Sequence, residues 1–135
     1  MTVMAEAGTK QYRQEMTVDP NKLGLVRRIV TAHVRYWGWA PVADAAIMCV
    51  TELLSNVSKH ADSNECVLLL QSSASGVRIV VSDDSPELPV VRKPDWDSES
   101  GRGMFLLNEI ADAWGADPTG NGKDVWVEFV KGSAA

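Results

Sequence analysis

Two apolar runs, Glu65-Cys66-Val67-Leu68-Leu69-Leu70 and Val77-Arg78-Ile79-Val80-Val81, flank the small polar stretch Ser72-Ser73-Ala74-Ser75-Gly76. Short apolar runs joined by a Ser/Gly-rich turn read as a β-hairpin. Both runs are nearly continuous in apolar character, so the hairpin is expected to be buried.

Upstream, Pro41 opens a helix whose apolar stripe is Ile47, Val50, Leu53, Leu54, Val57 and Ala61, ending near His60 to Ser63. Before it, Asp19-Pro20 marks another helix start, with a capping oxygen and a proline whose missing N–H is harmless there. Val26, Ile29, Val30, His33, Val34 and Trp37 keep the 3.6-residue period up to Gly38. Earlier still, Tyr12, Met16 and Val18 alternate with Arg13, Glu15 and Thr17, interrupted by Gln14, as in a half-buried or edge strand.

Downstream, Pro86, Pro89 and Pro94 stand among Asp83, Asp84, Glu87, Asp95, Asp97 and Glu99, so a loop is expected up to Ser100. Gly101-Arg102-Gly103 leads into a third amphipathic helix through Met104, Leu107, Ile110 and Ala111, with Trp114-Gly115 expected to end it. Trp114 to Ala116 also has the option of pairing with the final strand, where Val125, Val127 and Phe129 alternate with Trp126, Glu128 and Val130 after the turn Pro118-Thr119-Gly120-Asn121-Gly122. The order β-α-α-β-β-α-β-β predicts an α+β two-layer sandwich, a mixed sheet with helices on one face. A single domain is expected over residues 12–131, with a loose tail at 1–11 and a short one at 132–135.

The chain has 135 residues and a formal charge of −5, which argues against a cationic nucleic-acid footprint. No apolar run of membrane-spanning length and no apolar leader stand out, so neither a membrane nor direct nucleic acid is expected as a partner. Cys49 and Cys66 are too few for a disulfide framework or a zinc site and read as buried thiols, in keeping with a cytoplasmic setting.

Glu52 and Asn56 lie four apart on one helix face, at the border of its apolar stripe. Alone they read as a surface pair. Together they offer a proton acceptor and an amide oxygen suited to Mg²⁺. Asp83, or equally Asp84, closes a strand where a carboxylate can accept a purine amino group. Gly101-Arg102-Gly103 before a helix offers backbone N–H groups for phosphate, a weak signal by itself.

Taken jointly, Glu52-Leu53-Leu54-Ser55-Asn56, Asp83-Asp84-Ser85-Pro86 and Glu99-Ser100-Gly101-Arg102-Gly103-Met104 resemble the nucleotide site of the ATPase superfamily of gyrase, heat-shock chaperones, histidine kinases and MutL. With Ala111-Asp112-Ala113-Trp114-Gly115 and Gly122-Lys123-Asp124-Val125-Trp126, the chain more closely resembles small actinobacterial ATP-binding proteins related to anti-sigma regulatory serine kinases. The resemblance runs from about Tyr12 to Phe129.

It implies the histidine-kinase-like ATPase fold, with ATP and Mg²⁺ as cofactors. Glu52 then matches the catalytic base, Asn56 the magnesium ligand and Asp83 the adenine-binding aspartate. Gly101 and Gly103 match the glycines beside the phosphates, and the acidic Pro-rich stretch before them matches the ATP lid, which includes Trp96. Arg102 matches an arginine that contacts phosphate or partner and is counted with the catalytic group. Lys59 and His60 match a basic–His pair. Ser85 and Glu87 stand where the wider superfamily has glycines. Asp124 replaces a threonine or serine near the adenine site, where a carboxylate is expected to weaken ATP binding or alter its water network.

The function implied is an ATP-dependent anti-sigma-type serine kinase that phosphorylates an anti-sigma antagonist and sequesters a sigma factor. The alternative is an ATP-binding regulatory module with little or no kinase activity. The resemblance also allows a homodimer through the sheet.

Overall fold

The computed structural model describes residues 9–60, 63–89 and 102–130; of 60, 102 and 103 it describes the backbone alone. Its elements are β1 (Lys10–Thr17), α1 (Leu23–Tyr36), α2 (Ala43–His60), β2 (Glu65–Ser72), β3 (Gly76–Asp83), α3 (Arg102–Ile110), β4 (Ala113–Pro118) and β5 (Lys123–Val130). Short 3₁₀ turns, Pro20–Lys22 and Ala40–Val42, lead into α1 and α2.

Local chemistry sets the boundaries. Asp19 Oδ1 accepts the Asn21 N–H at 2.9 Å, capping the turn that starts α1. Beyond α1, Gly38 takes φ +89°, a conformation that suits glycine. The Gly38 and Trp39 N–H groups there donate to the Arg35 and Val34 carbonyls. β1 starts at Lys10, ahead of Tyr12, because Lys10 and Gln11 pair with Ser72 and Gln71. Gln14 breaks the alternation for a local reason: Tyr12, on the same strand face, donates its hydroxyl proton to Gln14 Oε1 at 3.0 Å.

The strand order is β1-β2-β3-β5-β4. The two-layer α+β sandwich is as expected, but every pairing among the described strands is antiparallel where a mixed sheet is expected. The cause is the closing β4–β5 hairpin. It inserts β5 beside β3, so β4 runs in the direction of β3 without touching it.

Alternation divides the sheet into two faces. Cys66, Leu68 and Leu70 on β2, Val77, Ile79 and Val81 on β3, and Val125, Val127 and Phe129 on β5 form one buried face. They join Val26, Val30 and Val34 of α1, Val50, Leu53, Leu54 and Val57 of α2, and Met104 and Leu107 of α3 in a single core. The segment Ala40–Lys59 has the length and apolar character of a membrane span, although the sequence is expected to contain none; here much of it is packed inside the fold.

α3 ends at Ile110, short of the expected stop at Trp114-Gly115. Those two residues lie in β4 instead, opposite Val127 and Trp126, which is the pairing option read from the sequence. Gly115 leaves room there for the Trp126 ring, which a Cβ would press against.

Candidate functional site

α2 carries Glu52 and Asn56 on a half-buried face beside the core residues Leu53 and Val57. Asn56 Nδ2 lies 3.2 Å from Met104 Sδ, in the first turn of α3. In this orientation the Asn56 carbonyl oxygen has no partner among the described residues. The contact also ties the first turn of α3, whose backbone begins at Arg102 and Gly103, to the Asn56 side chain through Met104. Gly101 and the lid stretch from residue 90 to 100, with Trp96, lie outside the described residues, as do the side chains of His60 and Arg102.

Glu52 has no hydrogen-bond partner among the described residues. It lies close enough to Cys49 that its charge, after burial, helps push that thiol up to about 12. Burial first and the Asp83 carboxylate second push Cys66 up to about 11. Both thiols are buried and free, as expected. A buried, protonated thiol is a poor nucleophile.

Asp83 ends β3 on the face of Val77, Ile79 and Val81, and its side chain is only 3% exposed. Asp83 Oδ1 accepts the Ser85 N–H at 2.9 Å and the Lys123 ammonium at 3.0 Å. Lys123, 5% exposed in its side chain, also donates to the Ser85 carbonyl at 3.3 Å. Ser85 is itself buried, and its Oγ accepts the Glu87 N–H at 3.2 Å. Asp83 and Ser85 thus make successive side-chain-to-backbone turns that hold Asp83-Asp84-Ser85-Pro86-Glu87 without the expected glycines. Asp83 Oδ2 has no partner among the described residues. A buried acceptor without a partner is unusual in a folded protein and marks a place for a donor.

Asp84 is separated from Asp83 by its bonding. It accepts the Ser63 hydroxyl at 2.6 Å and the Ser63 N–H at 3.4 Å, which ties the residue after β3 to the segment leading into β2. Asp124 differs from the expectation placed on it. It lies on the opposite sheet face from Asp83, where its Oδ1 accepts the Ser82 hydroxyl at 2.6 Å. The reason is strand parity, since Asp124 follows Lys123 by one residue.

The turn before β5 is pressed onto the end of β3. A Cβ at Gly122 would clash with the Asp83 carbonyl oxygen and lie 2.7 Å from the Asp84 Cα. Only glycine allows that approach, and the approach carries Lys123 to Asp83. Lys123 stands in a quoted motif, but a site role for it is hard to see in the sequence because lysine is ordinarily a surface residue. A signal was present: continuing the inward alternation of Val125, Val127 and Phe129 backward by one step places Lys123 on the core face.

Chemically, Asp83 Oδ2 fits an exocyclic amino group, and the Asn56 carbonyl oxygen fits a hard cation. Among the described residues no group of three or more His, Cys, Asp or Glu side chains is placed to hold a metal. A magnesium ion here would take most of its oxygens from phosphate and water.

No curated protein matches the chain. A family model described as the Histidine kinase-like ATPase domain matches residues 16–129, which include Glu52, Asn56, Asp83 and Lys123. That span also takes in all three helices and the paired strands β2, β3, β4 and β5. The chain belongs to the histidine kinase-like ATPase domain family, within the superfamily of gyrase, heat-shock chaperones, histidine kinases and MutL.

Proposed function

We propose that this domain binds Mg-ATP between α2, the end of β3 and the start of α3, and acts as an anti-sigma-type regulatory serine kinase. The observation that carries the reading is the buried Asp83 carboxylate, with one oxygen engaged and the other open, in a chain of this ATPase family. Asp83 Oδ2 accepts the adenine amino group. The Asn56 carbonyl oxygen supplies a ligand to Mg²⁺. Backbone N–H groups at Gly101, Arg102 and Gly103, with the Arg102 side chain, meet the phosphates at the positive end of α3. Bound Mg-ATP supplies the phosphoryl group and the metal charge that offsets it. Glu52, one helical turn before Asn56, accepts the proton of an attacking serine hydroxyl. The acceptor serine belongs to an anti-sigma antagonist protein, and the partner released by its competition is a sigma factor. A cytoplasmic setting and a homodimer through the open sheet face belong to the same reading.

Calorimetric titration with ATP and ADP tests the site. Saturable binding that Asp83→Asn weakens supports it, and no heat at millimolar nucleotide with folded protein removes it. Radiolabelled phosphate transfer to a serine-bearing antagonist tests the chemistry. Glu52→Gln keeps most of the nucleotide affinity but lowers transfer by about 10²- to 10⁴-fold, the range for positioned acid–base catalysis. Asn56→Ala lowers Mg-ATP binding and transfer together. Tight binding with no transfer in the unmodified protein identifies a nucleotide-responsive binding module instead.

A further inference from the structure

Lys123 is a buried cation that the functional reading above does not use. Its ammonium reaches only one oxygen of Asp83, Oδ1, and the Ser85 N–H occupies the same atom. A carboxylate has two oxygens and room for about four donors. Two of those places are filled here, both on Oδ1, and Oδ2 is open among the described residues. The carboxylate is therefore divided into one structural oxygen and one with no partner among the described residues. The turn at Gly122 keeps it so, because the chain bearing Lys123 lies against the Asp83 backbone with no room for a Cβ.

We propose that Lys123 is a specificity-determining positioning residue: by occupying Asp83 Oδ1 it leaves a single acceptor oxygen for the nucleobase, and so selects adenine over guanine. The inference rests on the nucleotide-binding reading of the site. Adenine offers its N6 amino donor with the N1 acceptor beside it. Guanine offers two neighbouring donors, N1–H and the N2 amino group, which match a carboxylate with both oxygens open. Such a carboxylate takes guanine through two parallel hydrogen bonds. A carboxylate with one oxygen already engaged by an ammonium and a backbone N–H takes one donor, which adenine supplies. Lys123 also provides the counter-charge that a carboxylate this deeply buried requires.

The test measures ATP and GTP affinities by calorimetry for the unmodified protein, Lys123→Met and Lys123→Arg, beside thermal unfolding of each without nucleotide. The unmodified protein is expected to prefer ATP. Lys123→Met is expected to lower the ATP:GTP affinity ratio by about fivefold or more, the lower end of what a two-bond base contact is worth in discrimination. It also lowers the nucleotide-free unfolding temperature. Lys123→Arg keeps the charge and N–H donors and is expected to retain the ATP preference. If Lys123→Met does not fold, Lys123→Gln replaces it; the shorter neutral side chain falls short of Oδ1, and the same loss of ratio is expected. A lowered unfolding temperature with an unchanged ATP:GTP ratio overturns the proposal and leaves Lys123 a structural residue. If the unmodified protein binds neither nucleotide, the nucleotide-binding reading fails and the proposal with it. If it binds ATP and the ratio does not respond to Lys123, only the proposal fails.

Discussion

Two ion pairs cross the same ladder between β3 and β5, and each joins residues directly opposite in register: Arg78 with Glu128, and Asp83 with Lys123. Their charged atoms lie 3.4 Å and 3.0 Å apart. Arg78 and Glu128 are on the open sheet face, with side chains 40% and 34% exposed. Asp83 and Lys123 are on the helix-covered face, at 3% and 5%. Ladder and partner geometry are alike; what differs is strand parity, and with it the solvent. An exposed pair competes with water and adds little. A buried pair holds two charges that neither partner can leave unmatched. This contrast teaches that the site-bearing end of the ladder is the energetically constrained end, while its open face tolerates change.

Removing one member of the buried pair has the largest expected effect. Asp83→Ala leaves the Lys123 ammonium buried without its carboxylate and is expected to destabilise the fold by about 3–5 kcal/mol in urea unfolding. The double variant Asp83→Leu with Lys123→Met removes both charges and is expected to recover most of that loss. If the double variant is as unstable as Asp83→Ala, the pair is not the cause.

Gly122→Ala comes next. Its methyl group meets backbone atoms of Asp83 and Asp84, which cannot swing aside as a side chain can. The β4–β5 turn must move, at a cost of about 1–3 kcal/mol, and Lys123 moves with it. This variant is expected to lose both stability and ATP affinity, whereas Gly120→Ala in the same turn, where a Cβ meets nothing, loses neither.

The two thiols sharpen the contrast through pH. In the fold Cys49 is pushed up to about 12 and Cys66 to about 11, both from a usual 9.0. The unfolded chain therefore releases these protons before the native state does. The thiols leave stability unaffected below pH 9 and lower it progressively as pH rises from 9 towards 11 and 12. At pH 8, labelling with a disulfide reagent is expected to be fast for the unfolded protein and very slow for the native one. Rapid labelling of native Cys66 would show that the Asp83 end of β2 opens.

Periodicity made much of this legible. The stripe from Ile47 to Val57 marks α2, the apolar runs on either side of Ser72–Gly76 mark β2 and β3, and Asp19-Pro20 and Gly38 bracket α1. Asp83 and Lys123 were each present in recognised motifs, yet their pairing was not legible, because it depends on the register of two strands separated by α3 and β4. The same gap misplaced Asp124: a motif assigns it to the adenine site by sequence position, and alternation turns it to the other face. The sequence leaves the end of α3 open between helix and strand because Trp114 fits an apolar helical stripe as well as it fits a strand. What decides it is the ladder of β4 against β5, with Gly115 yielding space to Trp126.

The open face supplies the smallest expected effect. Arg78 reaches Glu128 Oε2 at 3.4 Å and also lies over the Trp126 ring, 4.6 Å from its centroid. The ion pair is worth at most about 1 kcal/mol at this exposure, and the cation–π contact about 0.5–1 kcal/mol. The Trp126 ring does not depend on Arg78 for its place, because its Nε1–H donates to Asp117 Oδ2 at 3.2 Å and Gly115 lies beneath it. Arg78→Ala is therefore expected to cost about 0.5–2 kcal/mol, and raised salt should remove part of that difference. Its ATP affinity should match that of the unmodified protein, because Arg78 and Asp83 point to opposite faces. A loss as large as that of Asp83→Ala would mean that the outer face is covered in solution, and would end the contrast between the two pairs.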